Sequence, residues 1–374
     1  MNLEEIEFLR SLRLPYTKIA SFLGVSRSTI YRRLQENGIS YESKYTDISD
    51  SDLDNVIVSI KRDHPNDGER LVIGHLAARS ILVPRARVRA AIHRVDPDNT
   101  ALRRRIALRR RVYHVNGPNS LWHLDGHHKL IKWQMVTHGG IDGYSRTVVF
   151  LRCSDNNRAY TMLSAFTSGV EEYGLPERIR TDMGGEMTQV WQYMIEQHNF
   201  PNAVIVGSST HNQGIERLWR DVHRCVGKIY HDLVTQLEDD GFLDPLNETD
   251  LYCLHFVFLP RINVMLRSFQ ESWNNHSLSS AGSLTPNQLF IRGGIEQDLI
   301  PNIPHNNQSS QGQFPTPGDQ VPVPRIHFNP CSRLYSQITR HNFPTASCDD
   351  FGYDFYKELI SIVGRHVSRC SDCS

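Results

Sequence analysis

The hydrophobic positions change period along this chain. Leu3, Ile6, Leu9 and Leu12 recur at helical spacing. Two short helical stretches follow, Tyr16 to Leu23 and Ser26 to Leu34, separated by a Gly24-Val25 turn. Ser40 to Thr46 is a polar linker. A second helical set then has stripes at Leu53, Val56, Ile57 and Ile60, at Leu71, Val72 and Leu76, and at Val88 and Ile92, punctuated by Pro65, Gly68 and Pro84. From Ser120 the alternation becomes strand-like. Residues 122–128, 135–141 and 147–152 read as three consecutive strands, with Asp142-Gly143 at the second turn. A helix over 157–173, a strand over 178–181, a helix over 187–197 and a strand over 203–206 come next, before a helix starting near 211–213. The order βββαβαβα predicts an α/β domain, a mixed five-stranded sheet flanked by helices. Residues 249–276 form a further apolar helix that Pro260 should break or kink. Residues 300–330 are rich in Pro, Asn and Gln and read as a disordered linker. The predicted units are 1–40, 47–112 and 116–295, with 300–374 a mostly disordered tail that the core should not need.

Charge sharpens this division. The 374 residues carry no formal net charge, yet residues 1–115 hold 21 Lys and Arg against 14 Asp and Glu, and the remainder holds 20 against 27. Between Arg79 and Arg111 stand 11 Arg and 2 Asp. A basic front on an acidic back suggests a nucleic-acid-binding part joined to a carboxylate-bearing one. Ala20, Gly24 and Ile30 fall at helix-turn-helix offsets: a small residue for close approach, a Gly for the turn, an apolar residue to lock the second helix. Ser26 is a good N-cap. Arg27, Ser28, Tyr31, Arg32 and Arg33 then become candidate DNA contacts. Residues 50–95 look like a second such unit, with Arg85, Arg87 and Arg89 on its last helix. Arg103 to Arg111 would be a connector lying along DNA, a nuclear localisation signal, or both. No apolar run is long enough for a membrane span. Seven scattered cysteines form no secreted disulfide framework, which makes a reducing compartment the default.

Three acidic residues carry the candidate chemistry. Asp125 sits in Leu-Trp-His-Leu-Asp-Gly-His-His, Asp182 in Arg-Thr-Asp-Met-Gly-Gly-Glu, and Glu216 in His-Asn-Gln-Gly-Ile-Glu-Arg-Leu-Trp-Arg. The gaps are 56 and 33 residues. Carboxylates converging from separate elements repel one another unless cations neutralise them, so the set is a candidate two-metal site for cutting and joining phosphodiesters. A hard, all-oxygen site suits two Mg²⁺ or Mn²⁺ ions, Asp125 bridging them, Asp182 and Glu216 each holding one. His123 and His127 share a strand face with Asp125 and read as packing or hydrogen-bonding residues. Leu218 and Trp219 read as core. His366-x-x-x-Cys370-x-x-Cys373 has zinc-like spacing, but one CxxC supplies only half a site.

Residues 120–295 resemble the catalytic core of retroviral integrases and related bacterial insertion-sequence transposases, a branch of the RNase H-like fold. The resemblance rests on Asp125, Ile141-Asp-Gly-Tyr-Ser-Arg146, Thr181-Asp-Met-Gly-Gly-Glu186, Asn212-Gln-Gly-Ile-Glu-Arg217, Trp273-Asn-Asn-His276 and Thr285-Pro-Asn-Gln-Leu289. The segment from Asp182 to Glu216 is slightly shorter than is usual there. His64-Pro and Gly68 resemble the second helix-turn-helix of insertion-sequence transposases, so the similarity spans roughly 10–295. It implies a DDE enzyme that binds double-stranded DNA, its element ends and a target, then cleaves and joins strands, working as a dimer or higher oligomer. It also implies that Arg217, Arg220, His223 and Lys228, following Glu216, touch DNA. The location would be nuclear in a eukaryote and cytoplasmic otherwise. The alternative is a domesticated DNA-binding protein without chemistry; an RNase H-type nuclease is disfavoured because it needs no sequence-reading front end.

Overall fold

A computed structural model of the chain describes residues 3–11, 14–38, 45–96, 115–207, 213–299 and 321–370. The N-terminal unit has helices α1 (Leu3–Ser11), α2 (Tyr16–Phe22) and α3 (Arg27–Glu36). Ile6, Leu9, Ile19, Ala20, Ile30 and Leu34 close a small core, into which Leu284 from the far end of the chain also packs. The turn between α2 and α3 depends on Gly24, whose φ of 64° favours a residue without a Cβ. Ser26 caps α3 by accepting the Thr29 amide at 3.1 Å.

The second unit has helices α4 (Asp50–Asp63), α5 (Glu69–Ala78) and α6 (Arg85–Val95) around Leu53, Ile57, Ile60, Val72, Leu76, Val88 and Ile92. A buried polar cluster joins it to the rest. His75 Nε2 meets Asp67 Oδ2 at 2.7 Å, Lys61 donates to the Asp67 carbonyl at 2.7 Å, and His64 Nε2 meets Ser268 Oγ at 3.0 Å. Gly74 on α5 lets that helix lie directly on backbone at Ser272. The polar linker of 40–46 lies mostly, and the Arg103–Arg111 stretch entirely, outside the described residues.

The sheet has the order β3-β2-β1-β4-β5, with β1 (Trp122–His127), β2 (Val136–Asp142), β3 (Val148–Ser154), β4 (Ile179–Thr181) and β5 (Val204–Val206). β1 and β3 each run antiparallel to β2; β1, β4 and β5 run parallel. Helices α7 (Ala159–Tyr173) and α8 (Thr188–His198) pack one face through Trp122, Leu124, Phe150, Phe166, Val190 and Trp191. The other face takes α9 (Gln213–Val222), a π-helical turn over His223–Gly227, α10 (Lys228–Asp239) and α11 (Glu248–Asn275). The β-hairpin turn hangs on buried Asp142, whose carboxylate accepts the Ser145 amide at 2.7 Å, its hydroxyl at 2.6 Å and the Asn119 amide at 2.9 Å. Asn274 clips α11 to β3, accepting the Val148 amide at 2.8 Å and donating to the Val148 carbonyl at 3.0 Å. The Asp-Gly-Tyr-Ser and Trp-Asn-Asn-His segments are therefore structural joints.

Two sequence expectations are corrected. Pro260 does not break α11, which continues from Glu248 to Asn275. Proline inside a helix costs about 3 kcal/mol, but Leu254, Val257, Phe258, Ile262, Leu266 and Phe269 are buried on both sides of it and outweigh that cost. The second correction concerns the tail expected to be disordered over 300–374. Residues 300–320 lie outside the described residues, yet beyond them α13 (Ser332–Arg340) and α14 (Tyr353–Val367) are helical. Phe328, Leu334, Ile338, Phe343, Tyr356, Leu359, Ile362 and Val363 are buried in the same core as α11. Arg261 of α11 donates to the Phe343 carbonyl at 2.6 Å and to the Ala346 carbonyl at 2.6 Å. Enough apolar surface is present to order the segment; the Pro-rich stretch before it masked that. No helix among the described residues is long and apolar enough to cross a membrane. α12 (Pro286–Leu299) closes the core beside Pro118 and Tyr144.

Candidate active site

Asp125 lies in the central strand, β1, opposite Gly139 of β2. Asp182 immediately follows β4, the strand parallel to β1 on its other side. Glu216 sits in the first turn of α9, exposed, while Ile215, Leu218 and Trp219 anchor that helix to the sheet. The anchoring has a local reason: a Cβ on Gly139 would come within 2.7 Å of the Trp219 ring, so the bare strand position makes room for the indole. The same indole does more than fill space. Its Nε1–H donates to Asp125 Oδ2 at 2.9 Å, and the Gly126 amide donates to Oδ1 at 2.9 Å. Trp219 also stacks on His127, centroids 5.1 Å apart, and His127 approaches His223 at 5.8 Å. His123 is buried.

Asp125 feels the charges of the other two acids. Burial first, then the charges of Asp182 and Glu216, push the Asp125 carboxyl up to about 7, while the Trp219 indole and Gly126 amide pull it down. Among the described residues, the ligand atoms of the three do not all come within 4.8 Å of one another, as those of two other clusters do. A two-ion site, with its ions about 3.5–4 Å apart, does not require that. A half-buried carboxylate that feels two other negative charges favours a nearby cation, and oxygen donors suit a hard divalent one.

Sequence reasoning missed part of the surroundings. Glu186, buried behind Asp182, is held above the usual carboxylate range by burial and by Asp182. His128 Nε2 meets Asn157 Nδ2 at 3.4 Å, and burial lowers the His128 pKa while Asp182 opposes that shift. Glu186 stands in the Asp-Met-Gly-Gly-Glu motif, which was the available signal; Asn157 had none. The role of Trp219 as hydrogen-bond donor was equally hidden, because its neighbour in space is 94 residues away.

The expected DNA contacts fall into three groups. On α3, Arg27, Ser28, Arg32 and Arg33 are exposed and Tyr31 is half-buried. Arg27 donates to the Tyr31 hydroxyl at 2.7 Å and lies over its ring at 5.1 Å; Arg32 and Arg33 pair with Glu36. On α6, Arg85 and Arg89 pair with Glu69, and Arg87 pairs with Asp50. Such solvent-screened pairs are weak, so phosphate can displace them. Arg27, Tyr31 and Arg85 line one broad cleft with Arg10, Tyr16 and Glu271. After Glu216, Arg217 and Arg220 are exposed on α9, and Lys228 pairs with Asp232. His223 falls in the π-helical turn, which shifts the register a regular helix would give it. Its Nδ1 is buried without a hydrogen-bond partner among the described residues.

A family model described as an integrase core domain matches residues 112–302, half of the chain. The chain belongs to this integrase core family. Its mixed five-stranded sheet flanked by helices is the RNase H-like core of a DDE integrase or transposase. Among solved structures, it is similar to the HTLV-2 integrase catalytic core domain in complex with magnesium in a trimeric form, at 19% identity and a TM-score of 0.30, covering 46% of this chain and 97% of that one. It is also similar to the simian T-cell lymphotropic virus intasome in complex with a PP2A regulatory subunit, B56 gamma, at 15% identity and a TM-score of 0.36, covering 68% and 77%. No curated protein sequence matches the chain.

Proposed function

We propose that this integrase-core protein catalyses divalent-metal-dependent DNA strand cleavage and strand transfer, with its two N-terminal helical units reading the DNA. The observation that carries this reading is the meeting of Asp125, Asp182 and Glu216 from β1, the end of β4 and α9, close enough that the other two charges disfavour ionisation of the first. Asp125, Asp182 and Glu216 would hold two Mg²⁺ or Mn²⁺ ions. Bound there, the ions would activate water or a DNA 3′-hydroxyl for attack on phosphorus and stabilise the leaving oxygen. Trp219 orients Asp125 through its indole N–H, and Gly126 fixes the other carboxylate oxygen. Arg217 and Arg220, exposed on the same helix as Glu216, would hold backbone phosphates. Arg27, Tyr31 and Arg85 around their shared cleft would bind the duplex away from the reacting bond. Joining two DNA ends together calls for at least a dimer, acting in the nucleus of a eukaryote or the cytoplasm of a prokaryote.

The test is cleavage and joining of duplexes carrying the repeats that flank the protein's own locus, with Mg²⁺ or Mn²⁺. Wild type should cut in a metal-dependent way; Asp182→Asn should bind the same DNA and not cut. Arg32→Ala should weaken specific binding and flatten its salt dependence if a phosphate contact is lost. Tight binding without cutting by wild type would overturn the catalytic reading and leave a domesticated DNA-binding protein.

A further inference from the structure

The C-terminal helices end in a cluster that the proposed chemistry does not use. Cys331 stands at the N-cap of α13, His366 in the last turn of α14, and Cys370 just past it. After His366 the chain tightens into turns, the Arg369 amide bonding the His366 carbonyl and the Cys370 amide the Val367 carbonyl, which folds Cys370 back beside the imidazole. Cys331 Sγ lies 3.2 Å from His366 Nε2 and 3.9 Å from Cys370 Sγ, across 35 and 39 residues of chain. The three ligand atoms all fall within 4.8 Å of one another, and all three residues are half-buried.

These distances discriminate. A disulfide needs its sulfurs about 2.05 Å apart, and 3.9 Å is far from that. Tetrahedral zinc, with Zn–S about 2.3 Å and Zn–N about 2.0–2.1 Å, places two sulfurs about 3.8 Å apart and a sulfur and a nitrogen about 3.5 Å apart. The observed sulfur pair matches the first edge, and the Cys331–His366 pair is slightly inside the second. We propose that Cys331, His366 and Cys370 bind a structural zinc ion that staples the two ends of the α13–α14 unit together. The ligand set is soft and nitrogenous, which selects zinc over the hard ions suited to the carboxylates. Cys373, the second cysteine of the CxxC pair, lies outside the described residues. The staple has a purpose in the fold. This unit buries eight apolar side chains, among them Leu334, Ile338, Tyr356 and Leu359, against α11, but it is joined to the core only through a long Pro-rich segment. A metal cross-link would remove conformational freedom from the unfolded segment and add to the stability that this packing provides.

The experiment is metal analysis of the full-length chain, purified without added zinc and dialysed against excess Mg²⁺. About one zinc per chain should remain in wild type and equally in Asp182→Asn, and it should be lost in Cys331→Ser and Cys370→Ser. To separate metal loss from misfolding of these variants, wild type is also stripped and reloaded with Co²⁺, which should give the visible bands of tetrahedral cobalt and a thiolate-to-metal charge-transfer band. Stripping should lower the thermal midpoint and zinc should restore it. Absence of zinc from wild type, zinc that disappears with Asp182→Asn or persists in Cys331→Ser, cobalt bands without thiolate character, or a Cys331–Cys370 disulfide in peptide mapping would each overturn the proposal.

Discussion

Gly74→Ala tests how the second helical unit is held. An ideal Cβ at Gly74 would stand 2.1 Å from the Ser272 carbonyl oxygen and 2.9 Å from both its carbonyl carbon and its Oγ. The oxygen belongs to the backbone of α11 and cannot rotate away. Ordinary contact begins at 3.4 Å, so α5 and α11 must part by about 1 Å. Parting them strains the hydrogen bond from Ser272 Oγ to the Leu71 carbonyl, now 2.7 Å, and opens a gap beside Leu71, which is part of the main core. A gap of about 0.5–1 Å forfeits a quarter to a half of each dispersion contact, the hydrogen bond is worth about 1 kcal/mol, and overpacking costs about 1–3 kcal/mol. Alanine returns up to about 1 kcal/mol of helix propensity, which leaves a net loss of roughly 2–3 kcal/mol. Equilibrium unfolding in urea measures it. Gly364→Ala, in α14 with nothing within 4 Å of its Cβ, is the control and should be neutral or slightly stabilising. A Gly74→Ala protein as stable as wild type would refute the direct packing of α5 on α11.

Two further outcomes follow from the same packing. Ending the chain at residue 299 should lower the thermal midpoint by roughly 10 °C or make the protein insoluble, because α11 loses the cover of Phe328, Leu334, Tyr356 and Ile362; an unchanged midpoint would return the segment to the role of a dispensable tail. Burial first, then the nearby His75, push His64 down to about 4 from its ordinary 6.5. The unfolded chain then binds the extra proton between these values, so the contribution of neutral His64 is present above about pH 6.5 and is lost as the pH falls toward 4, by up to about 3 kcal/mol. Urea unfolding of wild type and His64→Gln should show their stabilities converging over that window; a gap independent of pH would rule the effect out.

Periodicity alone carried much of this protein. Amphipathic helices and half-buried strands announce themselves in a window of a few residues, because each must hide one face, and so the order of elements and the mixed sheet were legible, with Asp125 in a strand, Asp182 just after one and Glu216 in the first turn of a helix. The turn at Gly24 and the cap at Ser26 are local in the same sense. What depends on residues distant in sequence was not legible. The Trp219 indole reaches Asp125 across 94 residues, Cys331 reaches Cys370 across 39, and Gly74 meets Ser272 only because two helices cross. The helices at 332–367 carry apolar stripes of their own, Leu334 with Ile338 and Tyr356 with Leu359, Ile362 and Val363, but the Pro-rich stretch before them masked the pattern. The π-helical turn at His223–Gly227, where α9 joins α10, has no signal in the local pattern. Local pattern determined which elements form and which acids they carry. Tertiary packing decided what surrounds those acids, since the energy of a contact between distant segments is set by where the fold brings them and leaves no periodic trace in either one.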